Sequence, residues 1–151
     1  MNSMVPDPDD TAARALVELG EDECYELLAR ESIGRLACAS DDGAPDVVPV
    51  NFVLRGGAVW FRAHDGCVLE HVVERPVSLQ VDRIDWSHHV GWSVLVHGVA
   101  ELVDTAAEVA ETIDTWAPGD HPRLVCIVPT GITGRRIAIP ETPDQSGGGY
   151  L

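Results

Sequence analysis

The chain has 151 residues, enough for one domain with a real core. Acidic residues outnumber basic ones 25 to 10, and the net charge of −15 argues against a nucleic-acid partner, because phosphate backbones repel such a surface. No apolar run reaches the ~18 residues of a membrane span, and MNSMVPDPDD lacks the basic-then-apolar pattern of a secretory signal, so a soluble, cytoplasmic protein is expected.

In chain order, residues 1–10 are acidic and Pro-containing, and residues 1–20 read as a flexible extension. Within it, TAARALVEL (11–19) suggests a short helix after a Thr cap. A stronger helix is predicted over 21–31, where Cys24, Leu27 and Leu28 share a face and Glu21, Asp22 and Glu23 occupy the favourable first turn. Strands follow at 33–40, 45–54 and 58–63, joined by turns at Asp42–Gly43 and Gly56–Gly57. A helix over 66–75 places Leu69, Val72 and Val73 on one side and is stopped by Pro76. A strand at 77–83 leads through DRIDWSHHVG into a long strand at 91–103. That strand carries Val94, Val96, Ala100 and Leu102 on one face and Leu95, Val99 and Val103 on the other. Two apolar faces need cover on both sides, from another layer of the chain or from a second subunit. A helix at 105–116 opens with a capping box, Thr105 and Glu108. After the WAPGD loop the last strand runs from 123 to 138, and the Pro/Gly/Ser-rich tail, 140–151, is expected to be mobile.

Six strands with hairpin connections predict a mainly β (α+β) protein: a six-stranded antiparallel barrel with short flanking helices, over 21–139. The first three strands are joined by turns too short for the crossovers of a doubly wound sheet.

Chemistry concentrates in 46–75. Arg62 ends a strand just before a helix start near Asp65–Gly66, and backbone N–H groups beside a guanidinium can hold an anion such as a phosphate. Asn51 is a polar group in an apolar strand and needs a partner if buried. Lysine is absent, so every strong side-chain cation is an arginine. Arg135–Arg136 read first as a solvated strand end, with steering of an anionic substrate as the alternative. Cys24, Cys38, Cys67 and Cys126 form no C-x-x-C pair, which suits a reducing compartment; Cys38 and Cys126 read as small core residues. His64, Cys67 and His71 form an H-x-x-C-x-x-x-H run that could hold a metal or haem iron with help from His88 or His89, but no second clustered pair supports it. His97 reads as a satisfied core histidine. No Ser/His/Asp or nucleophilic Cys/His motif stands out, so hydrolase chemistry has no support and no catalytic side chain is assigned.

Six segments together resemble the pyridoxamine 5′-phosphate oxidase-like, flavin-binding split β-barrel family: IGRLA (33–37), VVPVNFV (47–53), VWFRAHDG (59–66), GWSVLVHGVAELV (91–103), WAPGD (116–120) and VPTGITGRRI (128–137). The resemblance implies a homodimer that holds FMN, or the deazaflavin coenzyme in some lineages, at the subunit interface, and oxidoreductase chemistry on a small molecule. It implies that Val50 and Asn51 line the isoalloxazine ring, and that Phe61, Arg62 and Ala63 lie near the ribityl phosphate. Gly66, Cys67 and Val68 would close over that phosphate, while Trp92 and Ser93 approach from the partner subunit. Related chains commonly read G-T-K-L where this one reads Gly66–Cys67–Val68–Leu69, so a hydroxyl donor and an ammonium are missing. Losing a neutral and a charged hydrogen bond weakens phosphate binding by roughly 30- to 1000-fold. A dimeric barrel that has lost its cofactor, and a haem-binding member of the fold, therefore stay open as alternatives.

Overall fold

Hairpin chemistry builds the wall of the molecule. The computed structural model describes residues 14–63, 67–103, 113 and 123–139. Its elements are β1 (Ala15–Leu19), α1 (Glu21–Leu28), β2 (Ile33–Ala39), β3 (Pro45–Arg55), β4 (Ala58–Ala63), α2 (Cys67–Val72), β5 (Pro76–Asp85), β6 (Val90–Val103) and β7 (Arg123–Ala138). Gly56 and Gly57 take φ of 58° and 74°, the pair of left-handed conformations that a two-residue turn needs to match strand twist, so β3 folds back directly onto β4.

All strand pairings are antiparallel, in the order β1-β7-β4-β3-β2-β5-β6, and pairing of β6 with β7 closes the barrel. β7 is long enough to serve three neighbours. One edge follows β6 throughout; the other pairs with β4 over Arg123–Ile127 and with β1 over Gly134–Ala138. The register shift between His97 and Gly98 leaves Thr130 as an extra residue in β7, whose hydroxyl donates to the His97 carbonyl at 3.3 Å.

Inward-facing residues fill the barrel. Phe52, Phe61, Leu36, Leu79, Val94, Val96, Ala100, Val125 and Ile127 are buried, and α1 adds Cys24, Leu27 and Leu28, the three residues its periodicity singled out. Cys38 and Cys126 are also buried, as their apolar surroundings in sequence implied. Among the described residues no helix is long and apolar enough to cross a membrane.

The structure corrects four expectations. Residues 15–19 are a strand, not part of a helix: β7 extends beyond β4, and an unpaired edge of N–H and C=O groups there outweighs the weak local helical signal. The sheet accordingly has seven strands where six were expected, and it begins upstream of residue 21. α2 stops at Val72 rather than 75. Val73 bridges to Ala100, Glu74 turns left-handed (φ 62°) and donates its N–H to the Ala100 carbonyl at 2.7 Å, and the residue before Pro76 is disfavoured in a helix anyway. His97 lies on the outer face of β6, exposed, where Ser78 Oγ meets its Nδ1 at 2.8 Å; it is satisfied but is not in the core. Apart from the buried Ile113, the expected helix at 105–116, the WAPGD loop, the first ten residues and the tail lie outside the described residues, as do His64 and Gly66.

The second apolar face of β6 is only partly covered, with Leu95 half-buried and Val99 exposed. Close approach of β6 to β7 also constrains Gly98: a Cβ there would lie 2.6 Å from the Val128 carbonyl oxygen and 2.7 Å from Ile127 Cγ2. Backbone cannot yield as a side chain does. Gly98→Ala is expected to destabilise the protein by about 1–3 kcal/mol, seen as a lower urea midpoint at unchanged m-value.

Candidate functional site

Strand alternation sorts the sequence-predicted residues into two sets. Val50 packs against the core, Phe61 is fully buried within it and Ala63 is buried, so these side chains face the interior. Asn51 and Arg62, one residue displaced in each strand, face outward. The β3–β4 ladder ends at the Phe52–Phe61 pair, and Asn51 and Arg62 are the next residues beyond it, both in the outward phase. Both are half-buried. Arg62 stands next to Leu124 of β7 and makes no ion pair among the described residues. A guanidinium and a carboxamide therefore share the outer wall just past the end of that ladder, with Trp60 in the same outward phase. The Trp60 indole N–H donates to the Arg55 carbonyl at 3.2 Å, which holds the ring against the hairpin.

Trp92 and Ser93 are elsewhere. They pair with Arg83 and Asp82 of β5 and with Arg136 and Arg135 of β7, near the other end of β7 from Leu124. Trp92 leans on the core, while Ser93 faces a cleft of about 410 Å³ bounded by β1, the β5–β6 turn and the end of β7. A single chain therefore does not bring Asn51 and Arg62 together with Trp92 and Ser93. Cys67 and Val68 open α2, which follows β4 directly after residues 64–66.

A polar cluster missed in the sequence secures the end of α2. Asp41, in the β2–β3 turn, accepts a hydrogen bond from Arg75 Nη2 at 2.9 Å and lies 3.6 Å from His71 Nδ1. The Arg75 hydrogen bond and charge, with a smaller contribution from His71, hold the Asp41 carboxyl below its ordinary range. Nothing local in the sequence announces this cluster, because its members are about thirty residues apart. Asp42, bonded to Ser40, and Asp85, bonded to His88 Nδ1 at 2.7 Å, are lowered in the same way.

The remaining titratable candidates do not form a reactive centre. Burial, reinforced by nearby glutamates, pushes the Cys24 thiol up, and burial with Glu101 does the same for Cys126, so neither is a ready thiolate. Among the described residues no three His, Cys, Asp or Glu side chains converge on a metal-sized site. His71 is drawn toward Asp41, and His88, a suggested third ligand, is held by Asp85. Ser78 and His97 touch on the outer wall, but no carboxylate among the described residues orients the imidazole, so the pair lacks the third member of a nucleophilic triad. Their adjacency follows from the β5–β6 register, which no motif in the sequence encodes.

Comparison with known proteins gives the family and the fold. A family model described as pyridoxamine 5′-phosphate oxidase matches residues 20–136. An uncharacterised protein of Mycobacterium tuberculosis is 30% identical over 135 residues, covering 83% of this chain and 88% of its own. Among solved structures, an FAD-binding protein from Mycobacterium smegmatis is 30% identical with a TM-score of 0.67, covering 82% of this chain and all (100%) of its own. An FAD-binding protein from Mesorhizobium loti superposes with a TM-score of 0.72 at 23% identity, covering 83% and 99% of the two chains; at that identity the likeness is one of fold.

The Asp41 cluster has a definite pH signature. A carboxyl lowered in the folded state stabilises above its unfolded value of about 3.9 and loses that contribution as pH falls through the lower folded value. At pH 7 and low salt, Asp41→Asn is expected to have a lower urea midpoint than the parent. The gap should close as the pH is taken below about 4, and shrink in 1 M salt at neutral pH.

Proposed function

From the premise that this chain belongs to the pyridoxamine 5′-phosphate oxidase family, we propose that it binds a flavin, FMN first, and serves as an oxidoreductase on a small molecule. The observation that carries this reading is the Asn51–Arg62 pair on the outer wall. Arg62 offers a half-buried guanidinium with no competing carboxylate among the described residues, the group a phosphate ester needs. Asn51 supplies a carboxamide beside it, able both to donate and to accept at the edge of a flat heteroaromatic ring. The 30%-identical FAD-binding protein from Mycobacterium smegmatis supports a flavin as the ligand class.

The residues fit such a group as binders and positioners. Arg62 would hold the phosphate, Asn51 the ring edge, and the backbone at Val50 and Ala63 the surfaces between them. When bound, a flavin supplies the two-electron redox chemistry; the protein has to bind, orient and desolvate it. That division of labour suits a chain with no assigned acid, base or nucleophile. An outer-wall site is open to water on one side, and Trp92 and Ser93 lie too far along the sheet to cover it from the same chain. A homodimer, in which the partner's copy supplies that cover, completes the proposal. The partly exposed second face of β6 supports it.

The experiment is a titration of purified protein with FMN, FAD and the deazaflavin by fluorescence, alongside light scattering at the same concentration. Binding of FMN by a species of twice the protomer mass is expected; no binding of any of the three below about millimolar, or a monomer, overturns the reading. Arg62→Ala should weaken FMN about 10- to 100-fold and leave riboflavin, which has no phosphate, unchanged.

The second reading, a dimeric barrel with no working cofactor, is favoured by Cys67 and Val68 at the phosphate loop. Cys67→Thr with Val68→Lys separates the two. A gain in FMN affinity of roughly 30- to 1000-fold would show an intact flavin surface with a weakened clamp, whereas no gain favours the cofactor-free barrel.

A further inference from the structure

The outer wall beside Arg62 continues along β4 and β3 toward their hairpin, and the flavin reading leaves that stretch unused. Trp60 is the next outward residue of β4, about 7 Å from Arg62 along the strand. Val53 pairs with it from β3, and both are half-buried. The indole N–H is tied to the Arg55 carbonyl at 3.2 Å, which fixes the ring on the hairpin. Arg55, outward in the same phase and exposed, sets a second guanidinium beyond the indole. Along the wall the order is thus a guanidinium, an aromatic ring with an apolar neighbour, and a guanidinium.

Charge decides which kind of phosphate this wall suits. A terminal phosphate ester carries close to two negative charges at neutral pH, both on one phosphorus. The chain offers such a group little: Cys67 and Val68, which open α2, bring neither an ammonium nor a hydroxyl, lysine is absent, and the net charge is −15. A dinucleotide spreads the same two charges over two bridging phosphates, so each needs less compensation at any one point. Its second nucleotide also brings a flat base, and a base face binds an aromatic side chain by stacking.

We propose that Trp60 is the platform for the adenine ring of a flavin dinucleotide, and that this contact selects the adenylated flavin, FAD, over FMN. The inference rests on the flavin reading and deepens it: Asn51 and Arg62 keep the roles given above, and the diphosphate runs from Arg62 along β4 toward the hairpin. The adenine lies on the indole with Val53 beside it, which removes apolar surface from water on both partners. Arg55, past the indole, adds positive charge at the adenosine end. Because the hydrogen bond to the Arg55 carbonyl already holds Trp60, little side-chain freedom is lost when the base settles on it. Trp60 touches the end of the cofactor remote from its redox ring, so its role is in specificity and not in catalysis.

The test is calorimetric titration of FAD and FMN into the full chain at neutral pH and low salt. FAD is expected to bind about 10- to 100-fold more tightly than FMN. Trp60→Leu should bring FAD down to the level of FMN and leave FMN unchanged, while Trp60→Phe, which keeps a ring, should retain most of the preference. An FAD affinity no higher than that of FMN, or a preference that survives Trp60→Leu, would overturn the proposal and leave the flavin reading in place. Equal losses of FAD and FMN in Trp60→Leu would do the same, by marking the indole as a structural residue. If that variant does not fold, quenching of wild-type tryptophan fluorescence by ADP, absent from Trp60→Phe, reports the same stack, and no quenching counts against it. ADP, which carries the adenine and the diphosphate without the flavin ring, also separates the two readings. Wild-type protein that binds ADP through Trp60 but neither flavin would remove the flavin reading and keep the adenine subsite; protein that binds none of the three would end both.

Discussion

The antiparallel ladder between β6 and β7 is the constraint on which the rest depends. It runs from Gly91–Ile137 to Val103–Leu124 and turns an open sheet into a barrel. A slip of one residue along it would turn Val94, Val96 and Ala100 out of the core and their outward neighbours in, because side chains alternate strictly along a strand. The bulge at Thr130 and the absence of a side chain at Gly98 pin that register. α1 follows from the same closure: a Cβ at Gly134 would lie 2.6 Å from Cys24 Sγ, so the helix sits directly on bare β7 backbone, and Arg136 ties to Glu23 across the junction.

A closed barrel of this size has no room for a ligand inside. Phe52, Phe61, Leu36 and Leu79 fill it. Chemistry is therefore carried by the outward phase of the strands: Asn51 and Arg62 on β3 and β4, Ser78 and His97 on β5 and β6, Ser93 and Arg135 on β6 and β7. Outward sites are precisely spaced by the ladder but wet, and a site that needs exclusion of water must borrow a cover. The same geometry separates Arg135 from its neighbour Arg136: alternation sends them to opposite faces, and Arg136 is held by Glu23.

α2 shows how a short helix can be held without length of its own. Six residues give little intrinsic helix stability. Burial of Val72, the Val73–Ala100 bridge, the Glu74 N–H on the Ala100 carbonyl and the Asp41–Arg75 pair fix its C-terminal end. The chain leaving α2 is thus attached to β6 and to the β2–β3 turn.

Much of this was legible in the chain. Apolar runs bounded by turn residues marked β3 and β4, and a long two-faced apolar run marked β6; Gly56–Gly57 marked the β3–β4 turn; the spacing of Cys24, Leu27 and Leu28 marked the buried face of α1; and the order of the matching segments marked the family. These are short-range signals, written in residues a few positions apart. What only the tertiary structure decided is long-range: that Ala15–Leu19 becomes a strand because β7 has an edge to fill, that α2 ends early because β6 captures Glu74, that His97 faces outward beside Ser78, and that Asp41 reaches Arg75. Local propensity differs between such alternatives by little, whereas leaving a buried edge or a charge unpaired costs more, and only the folded chain shows where those edges and charges lie.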